Sequence, residues 1–313
     1  MPAGHVIAIV GPTASGKSSL AMEFADAVNG EIIGADSRQV YRHMDIGTAK
    51  PTLNDRLRVQ YHLIDIVDPD NDYSLALFVR QARETINAVL SRDRVPIVVG
   101  GTGQYVWGLL EGWDVPNVPP DESLRALLQE RFEREGIEAL VRELETLAPT
   151  AAGRIDKKNP RRVIRALELA HQNGEEEAAA QSRTPPEFDL TIIGLTLERS
   201  DLYDRINGRT DAMFEAGWVG EVERLIGMGY GLELPSMSSL GYREISEFLK
   251  GDRTLEDAID AIKQKTRRFA RQQYAWFRLN DERIRWFGST PSDFGDAINY
   301  VKDSLGVAWA RGE

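Results

Sequence analysis

Gly11, Pro12, Thr13, Ala14, Ser15, Gly16, Lys17 and Ser18 satisfy the pattern G-x-x-x-x-G-K-[ST], and no other stretch narrows the possible folds as far. The flanks give the pattern its weight. His5–Val10 (HVIAIV) is a short apolar run with the length of a buried strand, and Ser18–Val28 places Leu20, Ala21, Phe24 and Val28 on one helical face. A strand–loop–helix unit of this kind cradles phosphate. Glycines let the backbone wrap the oxygens, loop amides and the helix N-terminus supply partial positive charge, and Lys17 supplies a full one. Ser18 is then a candidate ligand for a Mg2+ that bridges phosphates.

Strands and helices alternate around this loop. Glu31–Ala35 (EIIGA), Tyr61–Val67 (YHLIDIV), Val95–Val99 (VPIVV) and Leu190–Leu197 (LTIIGLTL) read as further strands. Helices are predicted from a Ser74 cap to about Leu90, from Gln104, over Arg199–Ala216 and Val219–Met228, and from Leu255 to about Leu279. The pattern implies an α/β protein with a P-loop NTPase-like parallel sheet. The rhythm breaks at the proline-rich Trp113–Pro120 (WDVPNVPP). Asp121 to about Gln172 is charged and helical in period, and Glu175–Pro186 (EEEAAAQSRTPP) reads as a polar linker. The expected organisation is a core of residues 1–112 and 189–313, interrupted by a mainly helical insertion over 113–188.

Composition sets limits on function. A hydrophobic content of 42% in 313 residues supports two packed domains. The chain has no cysteine, which excludes disulfides and thiolate metal sites and fits the cytoplasm. His5, His43, His62 and His171 lack metal-ligand spacing. Val6–Val10 is too short for a secretory leader, and no apolar run has the length of a membrane span. A net charge of −11 argues against a protein that coats nucleic acid. Two segments run against that balance. Arg154–Arg165 (RIDKKNPRRVIR) has one acid, and Lys263–Arg278 (KQKTRRFARQQYAWFR) has none and carries four aromatics. Two such clusters beside a phosphate site point to a nucleic-acid partner; the competing reading is solvated helix faces with their aromatics in the core. Arg271, Gln272 and Gln273 have the donors and acceptors to bond to bases.

The phosphate compound is a separate question. Enzymes that use ATP or GTP hold Mg2+ with an acid at the end of a second apolar strand. Val95–Val99 instead runs into Gly100-Gly101-Thr102-Gly103, leaving Asp65 or Asp68 as substitutes. Asp36 follows the strand Glu31–Ala35 directly, so it should stand near the phosphates. There it can ligate Mg2+ or accept a proton, or else Asp36 or Ser37 merely caps a helix. Arg205 and Arg209 share a helical face, as anion clamps or as partners of Asp201 and Asp204. Tyr41–Pro51 has the turn-rich composition of a binding loop. An ATP-dependent small-molecule kinase would explain Gly11–Ser18 and Asp36 but leaves both basic clusters without a purpose.

GPTASGKS (11–18), ADSRQVYRHMDIGTAKP (35–51), PIVVGGTGQY (96–105), NPRRVIRALE (159–168), RINGRTDAMFEAG (205–217) and SLGYREI (239–245) together resemble the tRNA dimethylallyltransferase family, in family order and over nearly the whole chain. The resemblance implies transfer of a dimethylallyl group from dimethylallyl diphosphate to N6 of the adenosine at tRNA position 37, in tRNAs reading codons that begin with U. Mg2+ is the implied cofactor. Asp36 matches the family's general base, Thr13–Ser18 its diphosphate loop and Arg209 its diphosphate-binding arginine. Asp36, Ser37, Arg38, Gln39, Thr102, Arg125, Arg161, Arg162, Val163, Ile164, Arg165, Ser238, Ser239, Leu240, Gly241, Tyr242 and Arg243 match positions that touch tRNA. Residues 113–188 would grip the anticodon stem-loop. Base flipping is expected, with Thr102 and Gln104 as guides. A cytoplasmic monomer is expected.

Overall fold

The apolar runs assemble into one parallel sheet in the computed structural model, which describes residues 4–115, 118, 121–179 and 183–306. Its strands are β1 (His5–Val10), β2 (Gly30–Gly34), β3 (Tyr61–His62), β4 (Val95–Val99), β5 (Asp189–Leu195) and β6 (Ile284–Phe287), in the order β3-β2-β4-β1-β5-β6. The register sets where function can sit. Ile9 pairs with Val99, Gly34 pairs with Val99, and Val10 pairs with Gly194, so the loops after β1, β2 and β4 leave one edge of the sheet side by side.

Both faces of the sheet are covered, as parallel strands require. Leu20 and Phe24 of the helix Lys17–Val28 pack with Ile7, Ile9, Ile193 and the helix Pro291–Ser304. The helix Leu75–Leu90 buries Phe78, Ala82 and Ile86, and Phe78 stacks on Tyr105 at 4.3 Å. Ser74 caps that helix by accepting from Leu77 N.

Several elements differ from the sequence reading. The strand expected over Tyr61–Val67 stops at His62 because Leu63 (φ 59) and Asp65 (φ 56) are left-handed, which ends the extended run. β6 was not expected: IRWF is four residues long, holds a charge and lies at the sheet edge. No helix follows Asp36, since residues 37–40 form turns. The predicted linker over Glu175–Pro186 begins as helix: Pro160–Ala179 is broken at Gly174 (φ 83) and then resumes in residues with good helix propensity. Residues 180–182 of that stretch, and 116, 117, 119 and 120 of Trp113–Pro120, lie outside the described residues.

Two units result: Met1–Leu110 with Pro186–Glu313, and Glu111–Pro185. The smaller unit contains the helices Glu122–Glu135, Ile137–Leu147, Pro149–Arg154 and Pro160–Ala179, around a core that includes Leu128, Leu140, Leu144, Val163 and Leu167.

Candidate functional site

The phosphate loop is built by its backbone. Gly11 adopts φ 140, and a Cβ there would lie 2.4 Å from Leu195 O, so a side chain is excluded where β1 and β5 converge. Gly16 (φ 92) then turns the chain into the helix Lys17–Val28. Lys17 Nζ donates to Pro12 O at 2.6 Å. Burial and the Arg209 guanidinium push its ammonium down to about 7, against the opposing pull of Asp36. Arg209 Nη1 donates to Thr13 Oγ1 at 3.3 Å, and burial lowers this guanidinium too, with Asp36 again opposing. Among the described residues neither Arg205 nor Arg209 pairs with Asp201 or Asp204. Arg205 is held instead by Ser289, through Oγ at 2.7 Å and O at 3.2 Å, and Ser289 Oγ donates to Ser15 O at 2.7 Å.

Asp36 stands at the next loop. Its Oδ1 accepts from Arg38 N at 2.8 Å and Gln39 N at 3.4 Å. It therefore satisfies backbone amides as the capping alternative required, but in a turn, with Oδ2 left for other chemistry. Ser37 N donates to Thr102 Oγ1 at 3.2 Å, and Gln39 Nε2 donates to Thr48 O and Ala49 O at 3.0 and 3.2 Å. Arg38 Nη1 donates to Pro235 O.

Glycines in the loop after β4 admit close neighbours. A Cβ on Gly100 would meet Ala35 O at 2.1 Å, one on Gly101 would meet Gln273 Nε2 at 2.2 Å, and one on Gly103 would meet Trp276 at 2.2 Å. That packing leaves no room for the acid an ATP-binding strand would carry. The two candidate substitutes are already engaged. Asp68 pairs with Arg42, and Asp65 pairs with Lys50 and Arg56. Burial would raise the Asp65 carboxyl, but hydrogen bonds from Lys50 and Arg56 outweigh it and hold it low.

These loops converge on a cavity of about 960 Å³, whose lining includes Thr13, Lys17, Ser18, Asp36, Thr102, Gln104, Arg205, Arg209 and, from the helix Leu255–Trp276, Phe269 and Gln272. Its chemistry sets the cations Lys17, Arg205 and Arg209 and a helix N-terminus beside the Asp36 carboxylate, with the exposed Phe269 alongside. Gln273 departs from the sequence reading: it reaches the cavity wall, but it is buried and its amide is taken up by backbone at Thr13 and Gly101.

The model of a family described as IPP transferase matches residues 39–280, more than half of the chain. The chain belongs to the IPP transferase family. A "tRNA dimethylallyltransferase" of Thermomicrobium roseum is 48% identical over 91% of this chain and 86% of its own length. The full-length tRNA isopentenylpyrophosphate transferase of Bacillus halodurans superposes with a TM-score of 0.70 at 40% identity, over 96% of this chain and 95% of that one. A eukaryotic dimethylallyltransferase acting on tRNA gives a TM-score of 0.80 at 26% identity, over 99% and 81%. The fold is thus the P-loop NTPase-like sheet of IPP transferases.

Other residues expected in this IPP transferase to touch tRNA divide by burial. In SSLGYREI (238–245), Ser239, Gly241 and Tyr242 are buried, whereas Ser238 and Arg243 are exposed and Leu240 is half-buried. Tyr242 OH donates to Glu221 at 2.7 Å, which makes it a core support. In the smaller unit Val163 and Ile164 are core residues, not surface contacts. Arg125 and Arg165 flank the buried Glu168 at 2.9 and 3.7 Å, and Arg165 Nη2 donates to Val118 O. Arg161 and Arg162 are exposed, with no acid at ion-pair distance among the described residues. The second basic segment is mostly tied down: Lys263 pairs with Asp211, Lys265 with Glu244, Arg267 bonds Asn207 and Arg271 bonds Tyr203. Its four aromatics are divided among the cavity (Phe269, Trp276), the core (Phe277) and a small cluster with Leu202 and Ile206 (Tyr274).

Proposed function

We propose that this IPP transferase moves a dimethylallyl group from dimethylallyl diphosphate to the N6 amine of the adenosine at position 37 of tRNA, releasing diphosphate. One observation carries the reading: Lys17 and Arg209, neither ion-paired among the described residues, share a cavity with the Asp36 carboxylate. Two partly buried cations need an anion, and a carboxylate that interacts with both supplies a base beside it. Family membership, and relatives named for dimethylallyl transfer to tRNA, select the anion and the acceptor. The same comparisons disfavour a kinase.

In this reading the allylic C–O bond breaks and a bond from N6 to that carbon forms. Charge grows on the leaving diphosphate, where Lys17, the loop amides and Arg209 stabilise it more than they stabilise the ground state. The amine sheds its proton to Asp36. The base leaves its stack to enter the cavity, where Phe269 offers a stacking surface and Thr102 and Gln104 offer polar contacts. The exposed Arg161 and Arg162 would hold the RNA backbone, with Arg125, Arg165, Arg38, Ser238 and Arg243 as further contacts. Ser18 and Asp36 are hard oxygen donors lining the same cavity, a set that suits a Mg2+ completed by substrate phosphates and water. That ion would supply extra positive charge at the diphosphate. Among the described residues no helix is long and apolar enough to cross a membrane. The reading takes the protein to act as a cytoplasmic monomer.

Incubation with radiolabelled dimethylallyl diphosphate and unmodified tRNA, beside an ATP-turnover assay, tests the reading. Label should appear in tRNA at position 37 with no ATP consumed. ATP turnover without labelled tRNA would overturn it.

A further inference from the structure

We infer that Gln273 is a positioning residue that sets the separation between the phosphate loop and the Gly100–Gly103 loop, and through it the separation between the diphosphate and Asp36. Its Oε1 accepts from Thr13 N at 2.7 Å and its Nε2 donates to Gly101 O at 2.9 Å. The residue is 4% exposed, so both bonds are shielded from water. One loop offers a donor and the other an acceptor, and a primary amide answers both with a single rigid group. A carboxylate has acceptors only, an ammonium has donors only, and a thioether of the same length makes neither strong bond.

The contact is tight. A Cβ on Gly101 would fall 2.2 Å from Gln273 Nε2, so the loop presses directly on the amide. Thr102, the next residue, receives Ser37 N and thereby holds the turn of Asp36. Gln273 thus lies between the loop that grips the leaving group and the loop that supports the base. Its helix also brings Phe269 and Gln272 to the cavity, so the surface facing a nucleobase is tied to the loop facing the phosphates. The kinetic part of this inference rests on the transfer reading; the tie between the loops does not.

The test compares wild type with Gln273→Met and Gln273→Glu. It reads inorganic diphosphate affinity by calorimetry, kcat and the KM for tRNA in the transfer assay, and melting temperature. Gln273→Met should weaken diphosphate binding and lower kcat by about tenfold each, with the tRNA KM unchanged. Gln273→Glu should be impaired at pH 8 and recover, relative to wild type at the same pH, as its carboxyl protonates and regains one donor and one acceptor. That recovery carries the test if Gln273→Met does not fold. A raised tRNA KM with unchanged diphosphate affinity would make Gln273 a base contact and overturn the inference. So would a lowered melting temperature with every binding and kinetic constant intact. If wild type transfers nothing while Gln273→Met still loses diphosphate affinity, the transfer reading falls and the tie between the loops stands.

Discussion

Ser37 donates its backbone N–H to Thr102 Oγ1 at 3.2 Å, so the loop that ends β4 carries the turn that presents Asp36. Two variants separate the carboxylate's chemistry from its support. Asp36→Asn keeps an oxygen to accept from Arg38 N and Gln39 N, so the turn should survive. Only proton acceptance is lost, and turnover should fall by roughly 10²–10⁴-fold with melting temperature and tRNA affinity unchanged. Thr102→Val keeps shape and removes the acceptor, leaving Ser37 N unpaired. A drop of about tenfold in kcat is expected, within the cost of one unsatisfied buried donor. Single-turnover rates with saturating tRNA check both, and a wild-type rate in Asp36→Asn would remove Asp36 from the chemistry.

Lys17 makes the phosphate loop sensitive to pH. Burial and Arg209 push its ammonium down to about 7 in the ligand-free protein, against about 10.4 in an unfolded chain. Between those values the unfolded state binds the extra proton, so this group makes stability rise with pH from about 7 towards 10. Diphosphate reverses the electrostatics and should draw a proton onto Lys17. Its affinity should therefore fall as pH rises above 7, and calorimetry in buffers of different ionisation heat should show proton uptake. Lys17→Arg stays charged throughout and should lose the excess pH dependence, which separates it from titration of diphosphate itself. Identical pH slopes in the two proteins would show that Lys17 does not titrate there.

Much of this architecture was legible because short apolar runs ending in glycine can hardly be anything but buried parallel strands next to a phosphate loop. What escaped was set by backbone conformation and helical phase. Leu63 and Asp65 turn left-handed and cut β3 short, which no hydrophobic pattern records. Ile284–Phe287 is too short and too charged to stand out before the sheet supplies β5 as its partner. Gln272 and Gln273 are chemically identical neighbours that both line the cavity, yet Gln272 is exposed and Gln273 is buried. The signal was present: Ala270, Gln273 and Phe277 recur at the helical period and all are buried, which put Gln273 on the inner stripe. Tyr242, Val163 and Ile164 teach the same lesson, since a stretch that matches a binding motif also contains the residues that hold it in shape.

That distinction can be measured in the smaller unit. Arg161 and Arg162 are exposed and have no acid at ion-pair distance among the described residues, while Ile164 on the same helix is 5% exposed. Arg161→Ala combined with Arg162→Ala should leave the melting temperature unchanged, weaken tRNA binding and reduce the log–log salt slope by about 1.5. Ile164→Ala should instead cost about 2–5 kcal/mol of stability through the cavity it leaves. Filter binding over a salt series and urea denaturation read the two effects. An unaltered salt slope in the double variant would reduce the cluster to a solvated face.

The loop at Asp45–Ala49 depends on one buried carboxylate. Glu221, 2% exposed, accepts from Asp45 N at 2.8 Å, Ile46 N at 2.7 Å, Gly47 N at 3.1 Å and Tyr242 OH at 2.7 Å. The carbonyls of Thr48 and Ala49, just beyond, hold Gln39, whose N–H in turn reaches Asp36. Glu221→Ala would strand three amides and a phenol at once, and because such penalties run about 1–3 kcal/mol each and do not add fully, a loss of about 3–5 kcal/mol is expected. Tyr242→Phe removes one donor and should cost about 1 kcal/mol. The informative comparison is in turnover: Glu221→Gln keeps an oxygen for two amides but turns an N–H towards the rest, so kcat should fall further than stability alone explains. If the midpoint of urea unfolding drops in Glu221→Gln while kcat stays at the wild-type value, the loop is a packing element and does not help place Asp36.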